Sequence, residues 1–231
     1  MNRPGWHRDD LRQVGHDFED ETTVAVYDAR QGTTDEASRA LATALGVGPG
    51  VRVIELGPGT GAFAVAAAET GAEVDAVDVS AAMLRALAAR ADAAGVRIAR
   101  HRAGFLTYEH AGPPADLIVT RYAFHHLPDF WKGVALLRLR AMLRPGGRLY
   151  LKDVVFSFPL ERYEEGIEGW IDRMTSGGDG WSRDDFETHV AEEHSTFDWI
   201  LEGLFARSGF AVIEKTRSDD TYCAYLLERA G

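Results

Sequence analysis

The chain has one cysteine, Cys223, among its 231 residues, so neither an internal disulfide nor a cysteine-built zinc cage is open to it. Lying between Tyr222 and Ala224 in an apolar stretch, that thiol is expected to be a small core side chain and not a nucleophile. Long apolar runs are missing as well. The longest, Ala62 to Ala68, falls far short of the ~18 residues that mark a membrane span. The first residues show no signal-peptide core, and the expected location is the cytoplasm, with no membrane partner. Positive charge is scarce: 25 basic residues face 36 acidic ones, and a net charge of −11 repels a phosphate backbone, so no nucleic-acid partner is expected. Internal repeats and low-complexity tails are also lacking. What remains, 45% apolar and 26% charged, is the composition of one globular domain that buries about 70% of its unfolded surface.

Short β-branched runs alternate with alanine-rich stretches, the pattern of βαβ units in a mostly parallel α/β sheet. Strands are expected near 51–56, 73–78, 96–101, 115–121, 147–155, 210–217 and 221–229. Helices are expected at 36–46, 60–70, 80–94, 130–143, 184–192 and 195–207, with Ser80 and Ser195 placed as N-caps. Only Ser218 to Asp220 separate the last two strands, and a parallel crossover needs a dozen or more residues, so these two should form an antiparallel hairpin. The single domain, 1–231, then divides into a cover at 1–35, a core at 36–155, an insertion with helices at 156–207 and the hairpin at 208–231. The cover carries Trp6, His7, Phe18 and Tyr27. The insertion carries Phe156, Phe158, Tyr163, Trp170 and Trp181 around the turn Gly177-Gly178-Asp179-Gly180. Both are expected to lie over one edge of the sheet.

The segment Val51 to Ala62 runs as a buried strand into Gly57-Pro58-Gly59-Thr60-Gly61 and then into a helix. Glycines there permit positive φ and remove Cβ atoms, so a ligand can lie against bare backbone at a helix N-terminus. The same run satisfies the loose dinucleotide-binding glycine pattern, which keeps a nicotinamide-dependent oxidoreductase as an alternative. Farther on, the strand Glu73 to Asp78 ends in a carboxylate at the sheet edge where ligands bind in open α/β folds. Asp78 can accept hydrogen bonds from both hydroxyls of a ribose, and it is equally placed to cap the helix beginning near Ser80. Asp75 is expected to face solvent.

These residues, in this order, resemble the class I S-adenosylmethionine-dependent methyltransferases of the small-molecule type, over roughly 36–155. Glu55 to Gly61 is similar to that family's E-x-G-x-G-x-G loop, with Glu55, Gly57, Pro58, Gly59 and Gly61 under the methionine portion of the cofactor. Asp78 is similar to its ribose-binding acid, and Val79 and Met83 to its apolar contacts on adenine. Ala115 to Val119 resembles its fourth strand, and Leu143-Arg144-Pro145-Gly146-Gly147 the turn before its fifth. The resemblance implies a Rossmann-like, doubly wound sheet of seven strands, mostly parallel with an antiparallel C-terminal hairpin. It also implies S-adenosylmethionine as cofactor, S-adenosylhomocysteine as product, and an enzyme that methylates an O, N, S or activated carbon atom of a small molecule. A cofactor-binding regulatory module without catalysis is the other alternative. Many relatives carry an acid after the third strand that receives the adenine amino group. Here the sequence reads Ala103-Gly104-Phe105-Leu106, so adenine is expected to meet Gly104 and Phe105 through backbone or packing. Tyr27 resembles a tyrosine that closes over the methionine end in some relatives, and Arg121 is counted with the cofactor contacts.

Methyl transfer is an in-line displacement at a sulfonium-bound carbon, so alignment and exclusion of water carry much of the catalysis and few catalytic side chains are expected. The best placed are His125 and His126 after the fourth strand, where a histidine can act as a base or orient the acceptor. Neighbours in an extended segment point opposite ways, so one should face the ligand and the other hold the loop. Tyr122, Asp153, Phe156 and Trp199 are candidate acceptor contacts, with Glu192 or Glu193 as a further one, although Asp153 is equally placed to cap a backbone turn. No metal site is expected: His189 and His194 are five apart, not the four that align a helical pair, and no third ligand is indicated. Trp170, Trp181 and Trp199 suit a flat or apolar acceptor, while Glu161, Glu164, Glu165 and Glu168 favour a neutral or cationic one.

Overall fold

Alternation along β1 (Arg52–Leu56) sets the architecture: Ile54 and Leu56 enter one hydrophobic layer and Val53 the other. A strand buried on both faces requires helices above and below it. In the computed structural model, which describes residues 4–11, 18–176 and 181–231, this strand lies near the middle of the sheet. It is flanked by β2 (Glu73–Asp78) and β4 (Ala115–Arg121), with β3 (Ala99–Arg102) outside β2 and β5 (Leu143–Phe156) outside β4, all parallel. A two-residue strand, β6 (Thr196–Phe197), adds parallel to the end of β5. Strands β7 (Phe210–Ser218) and β8 (Tyr222–Arg229) form the antiparallel hairpin, with β8 against β5, so the order is β3-β2-β1-β4-β5-β8-β7. This is the doubly wound, mostly parallel sheet that the sequence implies.

Helices α2 (Asp35–Ala44), α3 (Ala62–Glu69) and α4 (Ala81–Ala94) pack on the Val53 side through Ala42, Phe63, Ala64, Leu87 and Ala91. Helices α5 (Asp129–Met142) and α8 (Asp198–Arg207) cover the Ile54 side through Leu136, Leu139, Leu201 and Phe205. The apolar run of α3 is thus a core helix, and each large aliphatic or aromatic side chain buried there contributes about 1.5–3 kcal/mol. Among the described residues no helix is long and apolar enough to cross a membrane. Cys223 is buried in the core, as expected.

The covers hold two helices that the sequence pattern does not announce. α1 (Glu21–Arg30) buries no residue and so carries no apolar stripe to detect. Asp20 starts it by accepting from the Thr22 and Thr23 N–H groups. α6 (Tyr163–Ser176) is masked by Gly166 and Gly169, which lower helix propensity. The Phe158 ring lies against Gly166, 2.5 Å from where a Cβ would stand, so a side chain there would displace it. The expected turn Gly177-Gly178-Asp179-Gly180 lies outside the described residues, and α7 (Arg183–Glu192) follows, opened by a capping box of Ser182 and Asp185.

Elsewhere the boundaries differ for local reasons. Ser80 caps α4, accepting the Met83 N–H at 3.0 Å, but Ser195 caps nothing. Thr196 and Phe197 pair with β5, which delays α8 to Asp198 and leaves the Ser195 hydroxyl 2.7 Å from His189 Nε2. β3 begins at Ala99, later than expected. β5 starts directly at Leu143 and runs through Pro145-Gly146-Gly147, where its register with β4 shifts. Asp75 is not free in solvent, because His101 Nε2 meets it at 2.6 Å.

Candidate functional site

The winding of the sheet reverses between β1 and β4, and ligands of such sheets bind beyond the carboxyl ends of the strands at that point. β1 ends there at Leu56, and Gly57, Gly59 and Gly61 follow with φ of +68°, +56° and +87°. Each position also excludes a side chain. A Cβ on Gly57 would overlap Ala123, one on Gly59 would stand 2.9 Å from Tyr27 Cε1, and one on Gly61 would stand 2.5 Å from Leu87 Cγ. Beside the loop, Asp78 ends β2, buried, with Oδ1 accepting the Ser80 N–H at 2.9 Å. Burial pushes its carboxyl up to about 6. Gly57, Gly59 and Asp78 line one cavity open to solvent, together with Val79, Met83, Gly104, Phe105 and Tyr27.

Four expected cofactor residues stand behind this wall instead of on it: Glu55, Pro58, Gly61 and Arg121. Glu55 is fully buried, and burial pushes it up to about 7 although Arg121 Nη2 lies 3.5 Å away. Arg121 in turn lies over the Phe63 ring at 5.5 Å, so the pair braces the loop from the core side. Tyr27 reaches the cavity from α1. Its neighbour Asp28 accepts from the Thr60 hydroxyl and from Arg90 Nη1, the latter at 2.6 Å, which ties α1 to the loop and to α4.

Asp10 is the residue that sequence reasoning missed. Where the chain lacks an acid after β3, a carboxylate from the N-terminal segment stands in its place. Asp10 Oδ2 accepts the Leu106 N–H at 2.6 Å, while Oδ1 is buried with no hydrogen-bond partner, and the residue lines the cavity. Gly104 makes the room: a Cβ there would overlap Asp10 Oδ2. A buried acceptor left unpaired costs about 1–3 kcal/mol, more when charged, so this oxygen is built to meet a donor. No local spacing could have revealed it, since 96 residues separate Asp10 from Leu106. Bare backbone, a carboxylate for vicinal hydroxyls and an unpaired acceptor for an amine together fit a nucleoside that carries an amino group.

Tyr122 follows β4 with φ of +52°, a conformation that costs a non-glycine residue about 1–3 kcal/mol and turns the chain into a short 3-10 turn, Phe124–His126. Asp153 holds that turn. Its Oδ2 accepts the N–H groups of Phe124 and His125 at 2.8 and 3.0 Å, and its Oδ1 meets His125 Nδ1 at 2.5 Å and the Val154 N–H at 2.8 Å. With its oxygens engaged by the protein, Asp153 anchors a loop and does not face an acceptor.

The turn sends the two histidines in different directions. Burial works against a charged His125, but Asp153 and Glu193 outweigh it and push the imidazole up to about 10, so it keeps its proton near neutrality. His126 Nδ1 is buried without a hydrogen bond, and burial with the neighbouring His125 pushes this imidazole down to about 3. His126 is therefore neutral, with a nitrogen free to accept. A second cavity, also open to solvent, lies beyond it, lined by Tyr122, His125, Lys152, Trp170, Trp181 and Glu193 among others. The two cavities share Phe18, Tyr27, Tyr122 and His126 as common wall.

Other expected acceptor contacts lie elsewhere. Trp199 is 62% exposed on α8 and stacks on Phe197 outside both cavities. Phe156 is buried in an aromatic cluster with Phe158 and Trp170. Glu192 is exposed, whereas Glu193 reaches the second cavity. The acidic residues Glu161, Glu164, Glu165 and Glu168 are exposed, with Glu165 and Glu168 paired to Arg162 and Arg183. The cavity carries both signs: Glu193, met by His125 and His189, and Asp185, in the capping box with Ser182, stand with Arg30, over the Trp181 ring at 5.3 Å, and Lys152, over the Tyr122 ring at 5.3 Å, and neither of these two cations is ion-paired among the described residues.

Comparison with known proteins agrees with this geometry. Residues 53–147 match the family described as a methyltransferase domain. An uncharacterized methyltransferase of Geobacillus kaustophilus is 32% identical over 159 residues, 69% of this chain and 68% of the relative. The uncharacterized methyltransferase YrrT of Bacillus subtilis is 32% identical over 180 residues, 78% of this chain and 79% of the relative. Among solved structures, the magnesium protoporphyrin IX methyltransferase of Synechocystis with bound S-adenosylhomocysteine shares the fold, with a TM-score of 0.62 and 15% identity over 93% of this chain and 89% of that one. The glycine loop, the buried Asp78 and the unpaired Asp10 oxygen suit the cofactor of such enzymes, and the chain belongs to the class I S-adenosylmethionine-dependent methyltransferases.

Proposed function

We propose that this enzyme methylates a small-molecule acceptor held in the second cavity, with the adenosyl cofactor in the first. The observation that carries this reading is the wall of Phe18, Tyr27, Tyr122 and His126 common to both cavities. On this reading Gly57 and Gly59 offer bare backbone to the methionine portion, Asp78 accepts from the ribose hydroxyls, and Val79, Met83 and Phe105 pack on adenine. Asp10 Oδ1 takes the adenine amino group in place of the absent acid after β3. When bound, the sulfonium supplies an activated methyl carbon.

The chain's own residues then position and shield. Tyr27 and Phe18 close the first cavity on the cover side and exclude water. His126 offers its unpaired Nδ1 to an O–H or N–H of the acceptor and orients it. Lys152 and Arg30 favour an acceptor with negative charge, the reverse of what the acidic cover suggested. One cysteine and the absence of a long apolar helix among the described residues support a cytoplasmic setting. Calorimetric titration with S-adenosylmethionine and S-adenosylhomocysteine, followed by incubation with a fractionated metabolite extract, tests the reading. Cofactor binding and an acidic metabolite that gains one methylene in mass are expected. Failure to bind either cofactor form removes the reading.

A further inference from the structure

We propose that His125, His189 and Glu193 form a binding site for a divalent first-row transition-metal ion in the wall of the acceptor cavity. The proposal rests on the acceptor reading above only for its role, not for its existence. His189 and Glu193 are four apart at the end of α7 and share a helix face, a pairing hidden by the more obvious His189 and His194. The third ligand comes from the turn after β4, where Asp153 fixes His125. One potential ligand atom from each of the three side chains lies within 4.8 Å of the other two.

Distance and direction disagree in a telling way within this cluster. Glu193 Oε2 lies 3.1 Å from His125 Nε2 and 2.5 Å from His189 Nδ1, yet it is buried without a hydrogen bond, because neither approach has hydrogen-bond geometry. The far-side nitrogens are the ones that do bond: His125 Nδ1 meets Asp153 and His189 Nε2 meets Ser195 Oγ. Each imidazole is thus held by its outer nitrogen, and its inner nitrogen is left beside Glu193 Oε2 without a hydrogen bond to it. Outer carboxylate and hydroxyl partners of this kind orient metal-bound histidines and raise their basicity.

Two imidazoles and a carboxylate suit zinc, iron, cobalt or nickel better than magnesium or calcium, which prefer oxygen alone. Metal binding would displace the imidazole proton that the carboxylates otherwise hold. Three protein ligands leave coordination open toward the cavity, as in catalytic and not structural zinc sites. An acceptor hydroxyl or thiol bound there would ionise more readily.

Cobalt(II) titration of the chelator-treated, dialysed full chain tests the site, read by visible absorption and by competition with zinc. One equivalent is expected to bind. His189→Ala and Glu193→Gln should each abolish saturable binding, and Ser195→Ala should weaken it by about 10–100-fold. S-adenosylhomocysteine titration of every variant should change by no more than about threefold, which reports folding independently of the metal. No stoichiometric cobalt or zinc binding by the wild-type chain, or undiminished binding by Glu193→Gln, would overturn the proposal. Metal binding by a chain that binds no cofactor would support the site while striking the cofactor reading alone.

Discussion

Asp10 Oδ2 lies so close to Gly104 that a Cβ on the glycine would overlap it, so the missing side chain at 104 and the carboxylate at 10 are two halves of one arrangement. Gly104→Ala should push the N-terminal segment off the cavity and weaken S-adenosylhomocysteine about tenfold by calorimetry. Asp10→Ala should do the same and also erase discrimination against the inosine analogue, in which a carbonyl replaces the adenine amine. The wild-type chain should prefer the adenine form at least about tenfold. Unchanged discrimination in Asp10→Ala would reject the contact.

Asp78 trades stability for binding. Its carboxyl is raised by burial from 3.8 to about 6, so between these values the folded chain holds a proton that the unfolded chain has released. Stability from this group is full at low pH and is lost as pH rises through about 6. Asp78→Asn, which still accepts the Ser80 N–H, should therefore raise the Tm of the ligand-free protein at about pH 8, by roughly 2–4 °C for each kcal/mol recovered. The gain should shrink as pH falls below about 6 and vanish only near 3.8, where both folded and unfolded chains hold the proton. The same variant should bind S-adenosylhomocysteine at least about tenfold more weakly. Equal Tm values across the pH range would contradict the burial argument.

Gly61 has no contact with the cavity, so its role is separable from ligand binding. Gly61→Ala places a Cβ at φ +87° and 2.5 Å from Leu87 Cγ, and a loss of about 2–4 kcal/mol is expected in urea unfolding. A change below about 0.5 kcal/mol would show that Leu87 can yield.

Trp199 and Trp181 should behave oppositely once an acceptor is identified. Trp199→Ala, on the exposed side of α8, should leave kcat/KM within about twofold. Trp181→Ala removes a cavity wall and the 2.8 Å hydrogen bond to the Arg30 carbonyl, and should lower kcat/KM by about tenfold, mainly through KM. A larger effect at Trp199 would place the acceptor elsewhere.

What could be read from the sequence was what is local. The strand, glycine loop and helix around Gly57 to Gly61 announce themselves because positive φ and close approach each demand glycine within a few residues. Asp78 follows from its place at a strand end, and the hairpin from the short connection at Ser218 to Asp220. Contacts made in three dimensions stayed hidden. Asp10 comes from a segment with no periodicity, and His125 meets Glu193 only because β4 and α7 end side by side. Sequence pattern also marks a tryptophan as apolar without saying which way it faces, so Trp199, expected at the acceptor, lies outward. Likewise the acidic residues of α6 gave the cover its charge, although the cavity beneath carries Arg30 and Lys152.

A crystal structure of the chain with S-adenosylhomocysteine bears most directly on transfer between the two cavities. The ribose hydroxyls are expected on Asp78, the adenine amine on Asp10, and the thioether sulfur where Tyr27, Tyr122 and His126 meet. A nucleoside bound away from Asp78, or a sulfur turned from that junction, would contradict it.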